Sequence, residues 1–173
     1  PGKGGPAAPV HIVYVMDISG SMRQGNKIGK AQDALKKALS ELKSGDSFNI
    51  VLFAGDVIQF ASSLVPAHPE NIRVAAEYVD RIQLRGGTNV SGGLDRALRH
   101  PGATHVFLLS DGEPSRGITD GDQLRRYVRE LNTSRMQIIT LALGLGEEFP
   151  GIPLLKGLAD DNDGVFSYVN LAR

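Results

Sequence analysis

The sequence predicts an open α/β sheet that is mostly parallel and carries helices on both faces. Continuous apolar runs, typical of strands buried on both faces, alternate along the chain with segments whose apolar residues recur at helical spacing. Because crossovers between parallel strands are right-handed, this alternation predicts a doubly wound sheet. We expect six strands, of which one is a short antiparallel strand at the edge.

The strands are predicted from apolar runs rich in β-branched and aromatic side chains. The first two runs are VHIVYVM and SFNIVLF, and the short VIQF segment follows a Gly55-Asp56 turn signal that makes it a hairpin partner. HVFLLS, MQIITLAL and VFSYV lie in the second half of the chain. The predicted strands are residues 10–16, 47–53, 57–60, 105–110, 136–143 and 165–169.

The helices are predicted from apolar stripes and from residues that favour helix ends. In the first helix the apolar stripe is Ile28, Ala31, Leu35, Leu39 and Leu42. The lysines of this region are assigned to its solvent face, namely Lys27, Lys30, Lys36, Lys37 and Lys43. Pro69 and Glu70 open the second helix. The other helices are predicted at residues 91–99, 120–132 and 152–159, and the first at 26–43.

Composition limits the classes of protein to which the chain can belong. Its 173 residues are 41% hydrophobic and 22% charged, which suits a single globular domain. The 19 Lys and Arg equal the 19 Asp and Glu, so no basic excess indicates nucleic acid as a partner. No apolar run is long enough to predict a membrane span, and the absence of cysteine excludes thiol catalysis. We expect residues 1–9 to be a linker or chain edge within a longer protein, and residues 10–171 to form the domain.

Oxygen-bearing side chains gather at positions that the predicted fold brings together. Asp17, Ser19 and Ser21 follow the first strand, Asp111 follows the strand at 105–110, and Thr88 lies in the glycine-rich stretch RGGTNVSGG. The carboxyl ends of strands in an open α/β sheet share one rim, where ligands bind. We therefore expect these five side chains to lie at one site.

These five side chains have the chemistry of a site for a hard divalent cation. All are oxygen donors, which suit Mg²⁺, Mn²⁺ or Ca²⁺ rather than zinc or copper. A dication placed between two carboxylates would turn their repulsion into binding. Asp17, Ser19 and Ser21 are two residues apart, so an extended turn can point all three the same way. The predicted metal ligands are Asp17, Ser19, Ser21, Thr88 and Asp111.

The pattern resembles that of a known family. DISGS matches the Asp-x-Ser-x-Ser signature of von Willebrand factor type A domains, whose metal-ion-dependent adhesion site is completed by a threonine in a second loop and an aspartate in a third. Thr88 in GGTNV and Asp111 in LLSDGEP resemble those two residues. MDISGSM, GDSFNIVLF and LRGGTNVSGGL further resemble the inter-alpha-trypsin-inhibitor heavy-chain type and its bacterial relatives.

The resemblance implies a Rossmann-like fold and a non-enzymatic adhesion or interaction module. It implies that Asp17, Ser19 and Ser21 hold a divalent cation, with Mg²⁺ the first choice and Mn²⁺ or Ca²⁺ as alternatives. Thr88 would join in the ligand-bound form, and Asp111 would act directly or through a water. An acidic group of a protein partner would complete the coordination. An extracellular or cell-envelope location, within a larger parent protein, is expected on the same ground.

Two other functions remain open at this point. A metal-dependent hydrolase, for example a phosphatase, could use the same aspartates to activate water. The sequence places no histidine or lysine as its acid or base, and Asp17-Ile18-Ser19 stands where HAD-type phosphatases carry Asp-x-Asp. Alternatively, the scaffold could bind through another surface. Glu113 is predicted to be a rim charge, and the acidic run at 160–164 a solvated turn before the last strand.

Overall fold

A seven-stranded sheet and five α-helices make up the part of the chain that the computed structural model describes, residues 8–146 and 149–171. The strands are β1 His11–Asp17, β2 Ser47–Phe53, β3 Val57–Gln59, β4 Val65–Pro66, β5 His105–Ser110, β6 Gln137–Gly144 and β7 Phe166–Asn170. The helices are α1 Lys27–Ser40, α2 Pro69–Asp80, α3 Val90–Leu98, α4 Gly121–Leu131 and α5 Ile152–Asp161. An irregular 3₁₀ segment, Gly20–Asn26, joins β1 to α1. In the described residues, no helix is both long and apolar enough to cross a bilayer.

The sheet confirms the predicted doubly wound topology. Its strand order is β3-β2-β1-β5-β6-β7, with β2, β1, β5, β6 and β7 all parallel to one another. β3 pairs antiparallel with β2 at the edge, as predicted. The two-residue strand β4, which was not predicted, also pairs antiparallel with β2. The predicted linker at residues 1–9 lies outside the described residues except for positions 8 and 9.

The two faces of the sheet carry separate apolar layers. Successive side chains of a strand point to opposite faces, so Val13 and Val15 of β1 join one layer while Tyr14 and Met16 join the other. Helices α3, α4 and α5 pack on the first layer, and α1 and α2 pack on the second. Because both faces are covered, β1 and its neighbours are mostly apolar runs, and Asn49 in β2 and Thr140 in β6 are buried polar residues within them.

Only the later part of the acidic run at 160–164 forms the predicted turn before the last strand, at Asn162 and Asp163. Asp160 and Asp161 belong to the last turn of α5, and the Asp161 carboxylate accepts two hydrogen bonds of 2.8 Å from the Arg125 guanidinium on α4. Asn162 is buried, and its side chain donates to the carbonyl of Leu158. The helix therefore extends two residues beyond its predicted end, because an ion pair between α4 and α5 neutralises the buried side of the acidic run.

Candidate metal centre

Three loops meet at the carboxyl ends of the neighbouring parallel strands β1 and β5. The backbone N–H of Arg85 donates to the carbonyl of Ile18 at 2.8 Å, which ties the glycine-rich loop to the loop after β1. The N–H of Ser115 donates to the carbonyl of Thr88 at 2.9 Å, which ties the same loop to the one after β5. The rim that the sequence predicted is therefore held together by its own backbone.

A hydrogen-bonded chain connects four of the five predicted ligands. The backbone N–H of Ser19 donates to Oδ1 of Asp17 at 2.9 Å. The hydroxyls of Ser19 and Ser21 are 3.2 Å apart, and the Ser21 hydroxyl donates to Oδ2 of Asp111 at 2.6 Å. Asp17, Ser19 and Asp111 are buried, and Ser21 is half-buried. Side chains that lie 90 residues apart in sequence thus form one oxygen-lined cluster.

Thr88 lies on the adjoining loop but is not part of this chain of hydrogen bonds. Among the described residues its hydrogen bonds run through its backbone, whose N–H donates to the Ser115 hydroxyl at 3.0 Å. Gly87 lets the loop pack closely, since it has a φ of +81° and an added Cβ would lie 2.9 Å from Cα of Gly55. The structure brings Thr88 to the rim without linking it to the other four residues.

Ser110 is a member of the site that the sequence analysis missed. Its hydroxyl donates to Oδ2 of Asp17 at 2.7 Å and accepts a 2.8 Å hydrogen bond from the N–H of Gly112. It therefore fixes the carboxylate of Asp17 from the side of β5. The available signal was a polar residue at the end of the apolar run HVFLLS, directly before Asp111.

The assignment of Lys27 to the solvent face of the first helix is wrong. Lys27 is 4% exposed, and its Nζ lies 3.3 Å from Oδ2 of Asp111. The 3₁₀ segment leads the chain from the Asp17 loop straight into α1, so the first residue of the helix falls beside the site. Lys27 also stands four residues before Ala31 and eight before Leu35, which places it on the buried stripe. That spacing was the signal for its position.

Burial and like charge make the pair of carboxylates unfavourable on their own. The pKa of Asp17 is raised to about 6, first because burial disfavours the charged form and then because Asp111 repels it. Hydrogen bonds from Ser19 and Ser110 act in the opposite direction and hold the carboxylate in place. Positive charge brought to this cluster would relieve both the desolvation and the repulsion.

The donor set fits a hard divalent cation. Carboxylate and hydroxyl oxygens are the ligands that Mg²⁺, Mn²⁺ and Ca²⁺ take, and the two carboxylates supply two negative charges. The described residues contain no cluster of three or more His, Cys, Asp or Glu suited to a metal. A cation here would therefore depend on serine and threonine hydroxyls beside Asp17 and Asp111.

Known proteins resemble the chain over nearly all of its length. The family model described as the von Willebrand factor type A domain matches residues 10–168. Inter-alpha-trypsin inhibitor heavy chain H1 of Mesocricetus auratus is 38% identical over 151 residues, covering 80% of this chain and 16% of the relative. Inter alpha-trypsin inhibitor heavy chain 4 of Mus musculus is 33% identical over 172 residues, covering 92% and 18%. The chain thus spans less than a fifth of these relatives.

Solved structures agree with the fold. The von Willebrand factor type A protein from Catenulispora acidiphila superposes with a TM-score of 0.75 at 24% identity, over 95% of this chain and 39% of that one. The hypothetical protein BatB from Bacteroides thetaiotaomicron gives a TM-score of 0.73 at 18% identity, over 93% and 90%. Both likenesses concern the fold alone. With the family model matched from β1 to β7, the chain belongs to the von Willebrand factor type A domain family.

Proposed function

We propose that this domain is a cation-dependent protein-binding module. The observation that carries the proposal is the buried pair Asp17 and Asp111, joined through serine hydroxyls at the open rim of the sheet. Lys27 offsets only one of these two buried negative charges, so the cluster remains costly unless a further cation neutralises it. The family to which the chain belongs adds support, because a resemblance to von Willebrand factor type A domains implies an interaction module.

In this proposal each residue of the centre has its own role in binding the cation. Asp17, Ser19 and Ser21 hold the ion, Ser110 orients Asp17, and Asp111 acts directly or through a water. Thr88 joins when a ligand binds, which agrees with its place on the rim outside the present hydrogen-bonded chain. When bound among these residues, a divalent cation, with Mg²⁺ as first choice, would attract and coordinate an acidic side chain of the partner.

Exposed arginines around the centre support an acidic partner. Arg23 follows Ser21 by two residues, and the backbone of Arg85 pairs with that of Ser19. The guanidinium of Arg116 packs beside Gly87. All three arginines are exposed, so they can attract acidic groups as a partner approaches.

The proposal extends to the setting of the domain. The relatives matched here are several times longer than this chain, so we propose that the domain works within a larger parent protein. We also propose an extracellular or cell-envelope location, in keeping with one bacterial likeness, an aerotolerance-related membrane protein from Bacteroides fragilis.

A metal-dependent hydrolase is the second candidate, and one observation bears on it. The structure brings Lys27 into the site, where an acid or base was missing from the sequence pattern. Its ammonium donates to Asp111 and is almost fully buried, which favours a role in charge balance over contact with a substrate. Magnesium-dependent turnover of a generic phosphate ester, lost in Asp17→Ala, would favour the hydrolase.

The test of the binding function compares Asp17→Ala with a matched control. Glu113→Gln removes one negative charge from an exposed residue two positions after Asp111. We expect the wild-type chain and Glu113→Gln to retain a partner in Mg²⁺ and to release it in EDTA. Asp17→Ala is expected to remain folded and to retain no more partner in Mg²⁺ than the wild type does in EDTA.

The readout is a pull-down with the full-length protein, combined with circular dichroism of each variant. A partner that Asp17→Ala captures as well as the wild type does would contradict the proposal. Capture that EDTA leaves unchanged would do the same, since both the ion and its principal ligand would then be dispensable.

A further inference from the structure

Lys27 places a fixed positive charge inside the candidate metal centre. We propose that Lys27 is an internal competitor of the divalent cation, which stabilises the cation-free centre and lowers its affinity for the ion. This inference rests on the proposed function and concerns the regulation of the same site. Because Lys27 lowers this affinity, the centre fills with the cation only at a higher cation concentration.

The geometry shows how the lysine and the ion would compete. Oδ2 of Asp111 accepts hydrogen bonds from both the Lys27 ammonium, at 3.3 Å, and the Ser21 hydroxyl, at 2.6 Å. Within the described part of the chain, Oδ1 of the same carboxylate accepts only a long 3.4 Å bond from the N–H of Glu113. The ammonium thus occupies one oxygen of a carboxylate that the ion also needs, and it shares this oxygen with a second predicted ligand.

Burial makes the charge of Lys27 effective. The side chain is 6% exposed and that of Asp111 is fully buried, so neither water nor salt screens the pair well. Every other lysine ion pair in the described residues involves more exposed side chains, such as Lys36 with Asp80 and Lys156 with Asp160. Lys27 is therefore placed to act on the centre, unlike the other lysines of α1.

The net charge of the cluster gives the direction in which Lys27 changes the affinity for the cation. Asp17 and Asp111 contribute two negative charges and Lys27 one positive charge, so the cation-free cluster carries −1 rather than −2. A dication then raises the total to +1, whereas without the lysine it would bring the total to zero. The lysine thus stabilises the state without the ion and opposes the state with it.

The test uses Lys27→Met, which keeps the aliphatic stem and removes the charge. Lys30→Met is the matched control, because Lys30 is exposed one turn further along the same helix. Isothermal titration with Mn²⁺ is expected to show about tenfold tighter binding or more for Lys27→Met, since a nearby repulsive charge is gone. In EDTA its Tm is expected to fall by about 5 °C or more, because Asp111 loses its buried partner.

Lys27→Gln is a second variant, which tests the same proposal if Lys27→Met fails to fold. Glutamine keeps a donor for Asp111 but no charge, so its Mn²⁺ affinity is also expected to rise while its Tm in EDTA falls less. A purely structural lysine would lower the Tm and leave the affinity unchanged or weaker, and that result in either folded variant would overturn the inference. If the wild type and all variants bind Mn²⁺ equally, only this inference fails. If the wild type binds none, the proposed function fails with it.

Discussion

Replacing Asp17 by asparagine is expected to stabilise the cation-free domain at pH 7 and to abolish its stabilisation by Mg²⁺. Asparagine keeps the shape of the side chain, accepts from the N–H of Ser19 and can donate to the Ser110 hydroxyl. It removes the buried charge that raises the pKa of Asp17 to about 6. A shift of this size corresponds to about 3 kcal/mol of unfolding free energy at pH 7.

The same substitution predicts a change in the pH dependence of stability. The pKa of Asp17 is higher in the folded chain than its ordinary value of 3.8, so the folded state binds the proton more tightly. The contribution of Asp17 to stability is fully present below that ordinary value and is lost as pH rises to about 6. In EDTA, the wild type is therefore expected to lose stability over this window, and Asp17→Asn to lose less.

Urea denaturation in EDTA across this pH range measures the stability of the cation-free domain. Melting in a Mg²⁺ titration measures its stabilisation by the ion. An ion that binds only the folded state must raise the Tm as its concentration increases. Glu113→Gln is the control and is expected to respond to Mg²⁺ like the wild type. A variant Asp17→Asn that is stabilised by Mg²⁺ as much as the wild type would show that the ion binds elsewhere.

Replacing Gly151 by alanine is expected to cost about 3 kcal/mol of stability and to weaken Mg²⁺ binding. Gly151 caps the N-terminus of α5, and an added Cβ would overlap the backbone oxygen of Asp111. The contact is also tight from the other side, since a Cβ added at Gly112 would lie 2.7 Å from the carbonyl oxygen of Gly151. The loop that presents Asp111 must therefore move away from α5.

Gly121→Ala is the matched control for this steric effect. Gly121 begins α4, and the nearest atom to an added Cβ is 4.0 Å away. Alanine there is expected to be neutral or slightly stabilising, because it costs less conformational entropy in a helix. Urea denaturation and Mn²⁺ titration of both variants make the comparison. Equal stability and equal affinity for the two would mean that contact with Gly151 does not hold the Asp111 loop.

The strands could be predicted because buried parallel strands have a plain signature. HVFLLS is an unbroken apolar run that ends in polar residues, and its predicted bounds coincide with β5. β4 could not be predicted, since Val65–Pro66 is too short to show a pattern and pairs with β2 only after the chain has folded. The register of the sheet then brings Asp17 and Asp111 to one rim without any further signal in the sequence.

The candidate site was only partly predictable, because motif positions do not describe side-chain partners. Asp17, Ser19, Ser21 and Asp111 meet as expected, whereas Thr88 lies on the rim without a hydrogen bond to them. Lys27 was assigned to the solvent face because lysine is charged, although its spacing places it on the buried stripe of the helix. Its carbon stem is buried while its ammonium reaches a carboxylate, an arrangement that an alternation of polar and apolar residues does not reveal.

The central claim is that a single hard cation binds among the oxygens of Asp17, Ser19 and Ser21. Crystals of the domain grown in millimolar Mn²⁺, with anomalous diffraction recorded at the manganese edge, test it most directly. We predict one peak within about 2.0–2.6 Å of oxygens from these three residues, the range of hard-cation coordination in proteins. An empty cluster in Mn²⁺-saturated crystals, or a peak only elsewhere, for example beside Asp160 and Asp163, would contradict the claim.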